Sequence, residues 1–180
     1  MRLLGLSGSL RAGSHNRRLL DVAASVLPAE VSMEIYQGLR DVPPYQEDAD
    51  APEAVVALRD AIEAADAVLI ATPEYNGSIP GLLKNALDWA SRPYPDNALR
   101  AKPVAVIGAS TGVFGAVWAQ AELRKVLGVI GADVLDAELP VGLADDAFTD
   151  DGALADAALH EALAELVGKL VDAAHRAVNA

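Results

Sequence analysis

Residues 67–90 read AVLIATPEYNGSIPGLLKNALDWA. The opening run, Ala67–Thr72, is apolar up to its last residue and shows no polar alternation. Such a run reads as a strand covered on both faces. Pro73, Gly77 and Pro80 then restrict the path of a short loop. Pro80 to Ser91 reads as an amphipathic helix that Pro93 and Pro95 bring to a stop. A buried strand, a loop and a returning helix form the repeating unit of a parallel α/β sheet.

The same unit recurs outward in both directions. Toward the N-terminus, Arg2 to Ser7 reads as a strand and His15 to Leu27 as a helix, followed by a strand over Val31 to Tyr36. Gln37 to Ala51 holds adjacent prolines and several acids and reads as loop, and Pro52 to Ala65 reads as a helix with proline in its first turn. Toward the C-terminus, Val104 to Ala109 reads as a strand, Ala116 to Ile130 as a helix and Ala132 to Leu139 as a fifth strand. An acidic loop over Val141 to Gly152 leads into a final helix, Ala153 to Val178. Five strands alternating with five helices predict a parallel sheet with helices on both faces, and no linker divides residues 1–180 into more than one domain.

Composition narrows the chemistry. Apolar residues make up 52% of the 180, enough to build a packed core. No cysteine is present, which removes disulfides, thiolate nucleophiles and cysteine-ligated metals and fits a reducing cytoplasm. The net charge of −12 argues against nucleic acid and anionic membrane as partners. No apolar run approaches the roughly 20 residues that span a bilayer, and MRLLGLSGSLR has too short an apolar region for a signal peptide. A cytoplasmic location is the expectation.

Ligands of open α/β sheets sit beyond the carboxyl ends of the strands, so three loops matter. In the first, SGSLRAGSHN (Ser7 to Asn16), small residues lead into a helix start, where free N–H groups and the helix dipole favour an anion. A Walker A loop would place a lysine and a hydroxyl after Gly13, but Ser14 and His15 stand there, and the G-x-G-x-x-G fingerprint does not occur. A hydroxyl-rich loop with one arginine, Arg11, suits a terminal monophosphate held without metal, although a plain helix-capping turn would read similarly. The second loop carries Tyr75 and Asn76 at its tip, an aromatic ring and an amide suited to a flat heterocycle; a rigid turn with Ser78 capping the next helix is the simpler reading. The third, GASTGVFG (Gly108 to Gly115), offers Ser110, Thr111 and Gly112 for close packing on a planar ligand. A phosphate in one loop and a ring between the other two describe a mononucleotide, and FMN fits best.

SGSLRAGSHNRRL, TPEYNGSIPGLLKNALDWASRP and ASTGVFGAVWAQAELRKVLG resemble the NAD(P)H-dependent FMN reductases, a family that includes chromate, quinone and azo-dye reductases. The resemblance runs from Leu4 to about Gly142, and the tail beyond Leu143 carries little of it. It implies a flavodoxin-like three-layer α/β sandwich with strand order 2-1-3-4-5. It also implies that Ser9, Arg11, Ser14 and Asn16 hold the FMN phosphate with Arg17 and Arg18 close by. By the same resemblance, Pro73, Glu74, Tyr75, Asn76 and Gly77 line the flavin ring, and Ser110 and Gly112 bound its other side. Homodimers or homotetramers with the flavin near a subunit interface are the family's usual form.

The implied chemistry belongs to the flavin: a hydride arrives from NADPH or NADH, and a small acceptor (quinone, flavin, azo compound or metal oxyanion) takes it in a ping-pong cycle. No catalytic side chain is required. His160 and His175 read as surface residues and His15 as part of its helix start, while Trp89 and Trp118 read as core or interface with the acceptor pocket as the alternative. The acidic pairs near Glu47 and Asp145 read as solvated charge rather than a metal site. No loop shows a clamp for a 2′-phosphate, so NADPH and NADH both stay open. Two rivals share the sheet: a flavodoxin-like single-electron carrier, and a nucleotide-processing enzyme for which Glu74 is the only well-placed carboxylate. Arg11→Ala is expected to weaken FMN retention by roughly 1.5–3 kcal/mol, the worth of a charge-assisted phosphate contact. Equilibrium dialysis against FMN measures this, and unchanged affinity would remove Arg11 from the phosphate set.

Overall fold

The computed structural model describes residues 1–179. Its strands are β1 (Arg2–Ser7), β2 (Ser32–Ile35), β3 (Ala67–Thr72), β4 (Pro103–Ala109), β5 (Asp133–Val134) and β6 (Pro140–Val141). Its helices are α1 (His15–Ser25), α2 (Glu53–Glu63), α3 (Gly81–Ala90), α4 (Val117–Ile130) and α5 (Ala157–Val178). All pairings are parallel and the order is β2-β1-β3-β4-β5, with β6 also on β4. This is the expected flavodoxin-like α/β arrangement.

Every residue of β3 and β4 is buried, which accounts for their unbroken apolar character. Side chains alternate across a strand, so two cores form. Leu69, Ala71, Ala105 and Ile107 pack with Leu19, Leu20 and Ala23 of α1 and Leu163, Val167 and Leu170 of α5. Val68, Ile70, Val104 and Val106 pack with Leu58 and Ile62 of α2, Leu83 and Leu87 of α3, and Leu123 and Leu127 of α4. Each such leucine, fully removed from water, contributes on the order of 1.5–3 kcal/mol. Because β1 lies between β2 and β3, helix α1 leaves toward one face and α3 toward the other. A crevice opens between their starts.

The fifth strand departs from expectation: a continuous strand over Ala132 to Leu139 is replaced by two short pieces. Between Val104 and Gly108, β4 advances four residues while its neighbour advances six, from Val134 to Pro140. The excess directs Asp136 and Glu138 to solvent, and Glu138 meets Arg124 at 2.8 Å. Buried Gln120 fills the gap in the ladder. Its Oε1 accepts the Leu139 N–H (3.1 Å) and its Nε2 donates to the Gly115 carbonyl (3.0 Å). Beside it, residues 110–115 interlock with residues 140–144. A Cβ on Gly115 (φ +58°) would stand 2.5 Å from the Pro140 carbonyl carbon, and one on Gly142 would overlap the Val113 carbonyl oxygen.

Helix ends move by a few residues. The last helix starts at Ala157 and not Ala153, because Asp156 caps it (2.8 Å to the Ala158 N–H) and Leu154 bridges back to Phe148. The N-cap of α3 is Pro80 and not Ser78, whose backbone pairs instead with Tyr75. Within the expected loop, Gly38–Asp41 forms a 3-10 turn anchored by buried Leu39. No helix among the described residues is long and apolar enough to cross a membrane.

Gln120→Leu preserves volume but leaves the Leu139 N–H and Gly115 carbonyl unpaired. At about 1–3 kcal/mol per buried orphan, the variant is expected to lose roughly 2–6 kcal/mol in urea unfolding. A loss below about 1 kcal/mol would mean that the gap in the ladder is not bridged by this amide.

Candidate functional site

The loop after β1 is shaped by its own hydroxyls. Ser7 Oγ donates to the Ser9 carbonyl (3.2 Å), and the Arg11 N–H donates to Ser9 Oγ (3.4 Å). Gly13, at φ +71°, closes a turn in which the Ser14 N–H reaches the Arg11 carbonyl at 3.1 Å. A residue with a Cβ is strained there. Ser14 caps α1, its Oγ accepting the Arg17 N–H at 3.3 Å. The N–H groups of His15 and Asn16, the next two helical positions, have no intrahelical acceptor. Absence of a side chain at Gly8 lets this loop sit against the next: a Cβ there would lie 3.1 Å from Leu83 and 3.2 Å from Pro73.

The loop after β3 is a miniature hairpin. The N–H groups of Tyr75 and Ser78 each donate to the other's carbonyl (3.0 and 3.2 Å), and Asn76 and Gly77 both take positive φ (55° and 75°). This is a two-residue turn of the primed type that Asn-Gly favours. The turn keeps Tyr75 half exposed and leaves the N–H groups of Asn76 and Gly77 outside the pairing. Glu74 points back to the third loop: its Oε2 accepts the N–H groups of Trp118 and Ala119, each at 3.1 Å. The residue that precedes α4, Ala116, sits in the left-handed region at the N-cap and supplies no side-chain cap. Glu74 supplies that cap from 44 residues away. Its carboxylate is thereby occupied, which disfavours the acid–base role expected in a nucleotide-processing enzyme.

The loop after β4 is fastened from two sides. Asn16, buried in the first turn of α1, donates from Nδ2 to the Ala109 carbonyl and accepts the Ala109 N–H at Oδ1, both at 2.9 Å. From the other side, Ser110 N–H donates to the Val141 carbonyl (3.0 Å), while the Ser110 and Gly112 carbonyls accept from Ala144 and Leu143 (both 3.1 Å).

One hollow of about 240 Å³ opens where the three loops meet. The first loop lends it Ser9, Arg11, Ser14 and Asn16; the second lends Pro73, Glu74 and Tyr75; the third lends Ser110. Both ends of the Asn16 amide are engaged with Ala109. Asn76, Gly77 and Gly112 stand outside the lining, and Arg17 turns to a neighbouring hollow and to Asp21 (3.3 Å).

Two lining residues escaped the sequence reading. His15 Nε2 lies 3.0 Å from Asp145 Oδ1, which draws the acidic loop across the hollow's edge. The His15 ring stacks on Phe148 (centroids 5.9 Å apart, 11° between planes), and the Arg18 guanidinium lies 4.5 Å from the centre of the Phe148 ring. The partners are 130 residues apart in sequence, so no local pattern marks them. Trp89 is buried and its indole N–H donates to the Pro43 carbonyl at 2.9 Å, away from the hollow. Trp118 is exposed and meets Phe114 edge-on at 5.1 Å.

The donors suit a phosphate monoester. Arg11 forms no ion pair among the described residues, two serine hydroxyls flank it, and the first N–H groups of α1 adjoin. His15 faces the one carboxylate of the acidic loop at that edge. Among the described residues no three metal-ligating side chains gather. Glu74→Ala is expected to cost about 1–2 kcal/mol as a lost helix cap, whereas Glu74→Gln keeps an acceptor oxygen and loses less than about 1 kcal/mol. Urea midpoints of the two variants check this, and equal losses would sink the capping role.

Comparison with known proteins agrees with this geometry. Residues 1–146 match the family model described as NADPH-dependent FMN reductase. An NAD(P)H-dependent FMN reductase of Pseudomonas aeruginosa is 44% identical over 160 residues, spanning 87% of this chain and 85% of that one. A quinone reductase of Escherichia coli is 39% identical over 140 residues, 76% and 74% of the two chains. Among solved structures, FerB, a flavoenzyme NAD(P)H:(acceptor) oxidoreductase from Paracoccus denitrificans, superposes with a TM-score of 0.85 at 39% identity over 97% of both chains. With its strand order, its three converging loops and these matches, the chain belongs to the NADPH-dependent FMN reductase family.

Proposed function

We propose that the chain is an FMN-dependent oxidoreductase that carries reducing equivalents from NAD(P)H to a quinone in two separate half-reactions. Convergence of three strand-end loops on one hollow with phosphate-type donors carries this reading. The relatives that act on quinones support the choice of acceptor over a free flavin, an azo compound or a metal oxyanion. When bound, FMN supplies the hydride and electron transfer chemistry.

The chain's own residues bind and orient. Ser9, Arg11 and Ser14 would hold the phosphate together with the backbone N–H groups of His15 and Asn16, and Arg17 would add long-range positive charge. The hairpin from Pro73 to Ser78 would set the position of the ring, with the tip N–H groups of Asn76 and Gly77 offering fixed dipoles where negative charge grows. Ser110 and Gly112 would bound the opposite side, held by residues 141–144. Tyr75, Val113, Phe114, Trp118 and Leu143 form an exposed apolar rim near these loops. A second copy of the chain covering that rim would exclude water from the site, in keeping with a homodimer.

A single-electron carrier would bind the same flavin without reacting with NAD(P)H. The purified protein is expected to be yellow, to bleach under anaerobic NADPH or NADH, and to recover its colour with benzoquinone. Parallel double-reciprocal plots are expected when NAD(P)H and quinone are varied together. A yellow protein that neither nicotinamide bleaches would instead be a carrier. A colourless protein that FMN cannot reconstitute would belong to the nucleotide-processing class.

A further inference from the structure

A second hollow, of about 250 Å³, lies on the opposite side of the first loop, between it and the segment that follows β2. Arg11 and Arg17 reach it from the two ends of the loop, and Arg40 reaches it from the 3-10 turn. Tyr36, Gln37, Ser7 and Ser9 complete its polar wall, and no acidic residue lines it. That composition is unlike the chain as a whole, which carries 26 acids against 14 lysines and arginines. Neither Arg11 nor Arg40 forms an ion pair among the described residues, and Arg17 meets only Asp21, its neighbour one helical turn on. Only one of the three guanidinium groups has a carboxylate partner, and an anionic ligand relieves the repulsion left among them.

The site is held by packing rather than by chance side-chain placement. Leu39, 2% exposed, roots the turn that carries Arg40. The Tyr36 ring lies against Gly38, where a Cβ would stand 2.7 Å from the phenol oxygen. Burial, aided by the charge of Asp41, raises the Tyr36 pKa above its ordinary value, so the phenol stays protonated and can donate. Ser9 and Arg11 line both hollows, so the two sites are contiguous across one ridge of the loop.

We propose that this second hollow, built by Arg11, Arg17, Arg40 and Tyr36, binds the 2′-phosphate of NADPH and gives the chain a preference for NADPH over NADH. The inference rests on the oxidoreductase reading above, in which a second anionic ligand must come to the same strand ends. FMN has one phosphate monoester, and the first hollow has donors for it. The diphosphate is common to both nicotinamide cofactors, whereas a further monoester is found only on NADPH. A planar fork of guanidinium donors suits a terminal monoester.

The test uses calorimetric titration of the FMN-loaded protein with 2′,5′-ADP and, separately, with ADP, which carries a diphosphate and no 2′-phosphate. Native protein is expected to bind 2′,5′-ADP more tightly. Arg40→Ala is expected to weaken 2′,5′-ADP by about tenfold or more, the loss of one charge-assisted contact, with FMN content unchanged. The KM for NADPH should rise by a similar factor while that for NADH moves by less than about twofold, and Arg40→Lys should recover part of the loss. Unchanged 2′,5′-ADP affinity in Arg40→Ala overturns the proposal. So does equal weakening of ADP, which would assign the hollow to the diphosphate, or loss of FMN, which would assign it to the flavin. Because the binding arm needs no turnover, a protein that fails to oxidise NAD(P)H at all would refute the oxidoreductase reading by a separate result.

Discussion

One buried amide holds the ligand-facing end of the molecule together. The side chain of Asn16 completes both backbone bonds of Ala109, the last residue of β4, whose partner strand β3 ends one position earlier at the Thr72–Gly108 pair. A polar group withdrawn from water must find partners or cost several kcal/mol. Here the two sets of groups satisfy each other, and the start of α1 is fixed to the end of β4 across the top of β3. The Gly8 N–H adds a bond to the Ala71 carbonyl at 2.8 Å, tying the first loop to β3 as well. Three loops distant in sequence thereby share one frame.

The third loop depends on help from outside. Helix α4 starts from a left-handed alanine, a poor beginning that Glu74 repairs from the neighbouring hairpin. Its approach is set by Gly115 and Gly142, and its far side by Gln120. Side chains that look functional in sequence are therefore partly structural, and that division makes chemical sense. A site whose reactive group is a flavin needs rigid backbone donors more than it needs reactive side chains.

Much of the fold was legible because its signal is local. Unbroken apolar runs announced β3 and β4, and the loops of small residues after β1, β3 and β4 announced the strand ends that converge on one hollow. What escaped was set by contacts distant in sequence. The break in the fifth strand follows from Gln120 on a neighbouring helix, and the ends of Glu74 and His15 lie 44 and 130 residues away. The arginine cluster behind the first loop was hidden for the same reason, since Arg40 joins it only when the turn after β2 folds back. One local signal went unread: Asn76-Gly77 is the dipeptide that favours a tight hairpin, and the structure shows it.

The interrupted fifth strand bears on how this molecule meets others. A sheet margin with a continuous row of open N–H and C=O groups invites any extended chain to join it. Here that margin swells by two residues in its middle, carries Asp136 and Glu138, and turns one of its donors inward to Gln120. The opposite margin, β2, is four residues long. Neither side offers a template for strand addition, so copies of this chain can associate through side-chain surfaces while the sheet itself stays finite.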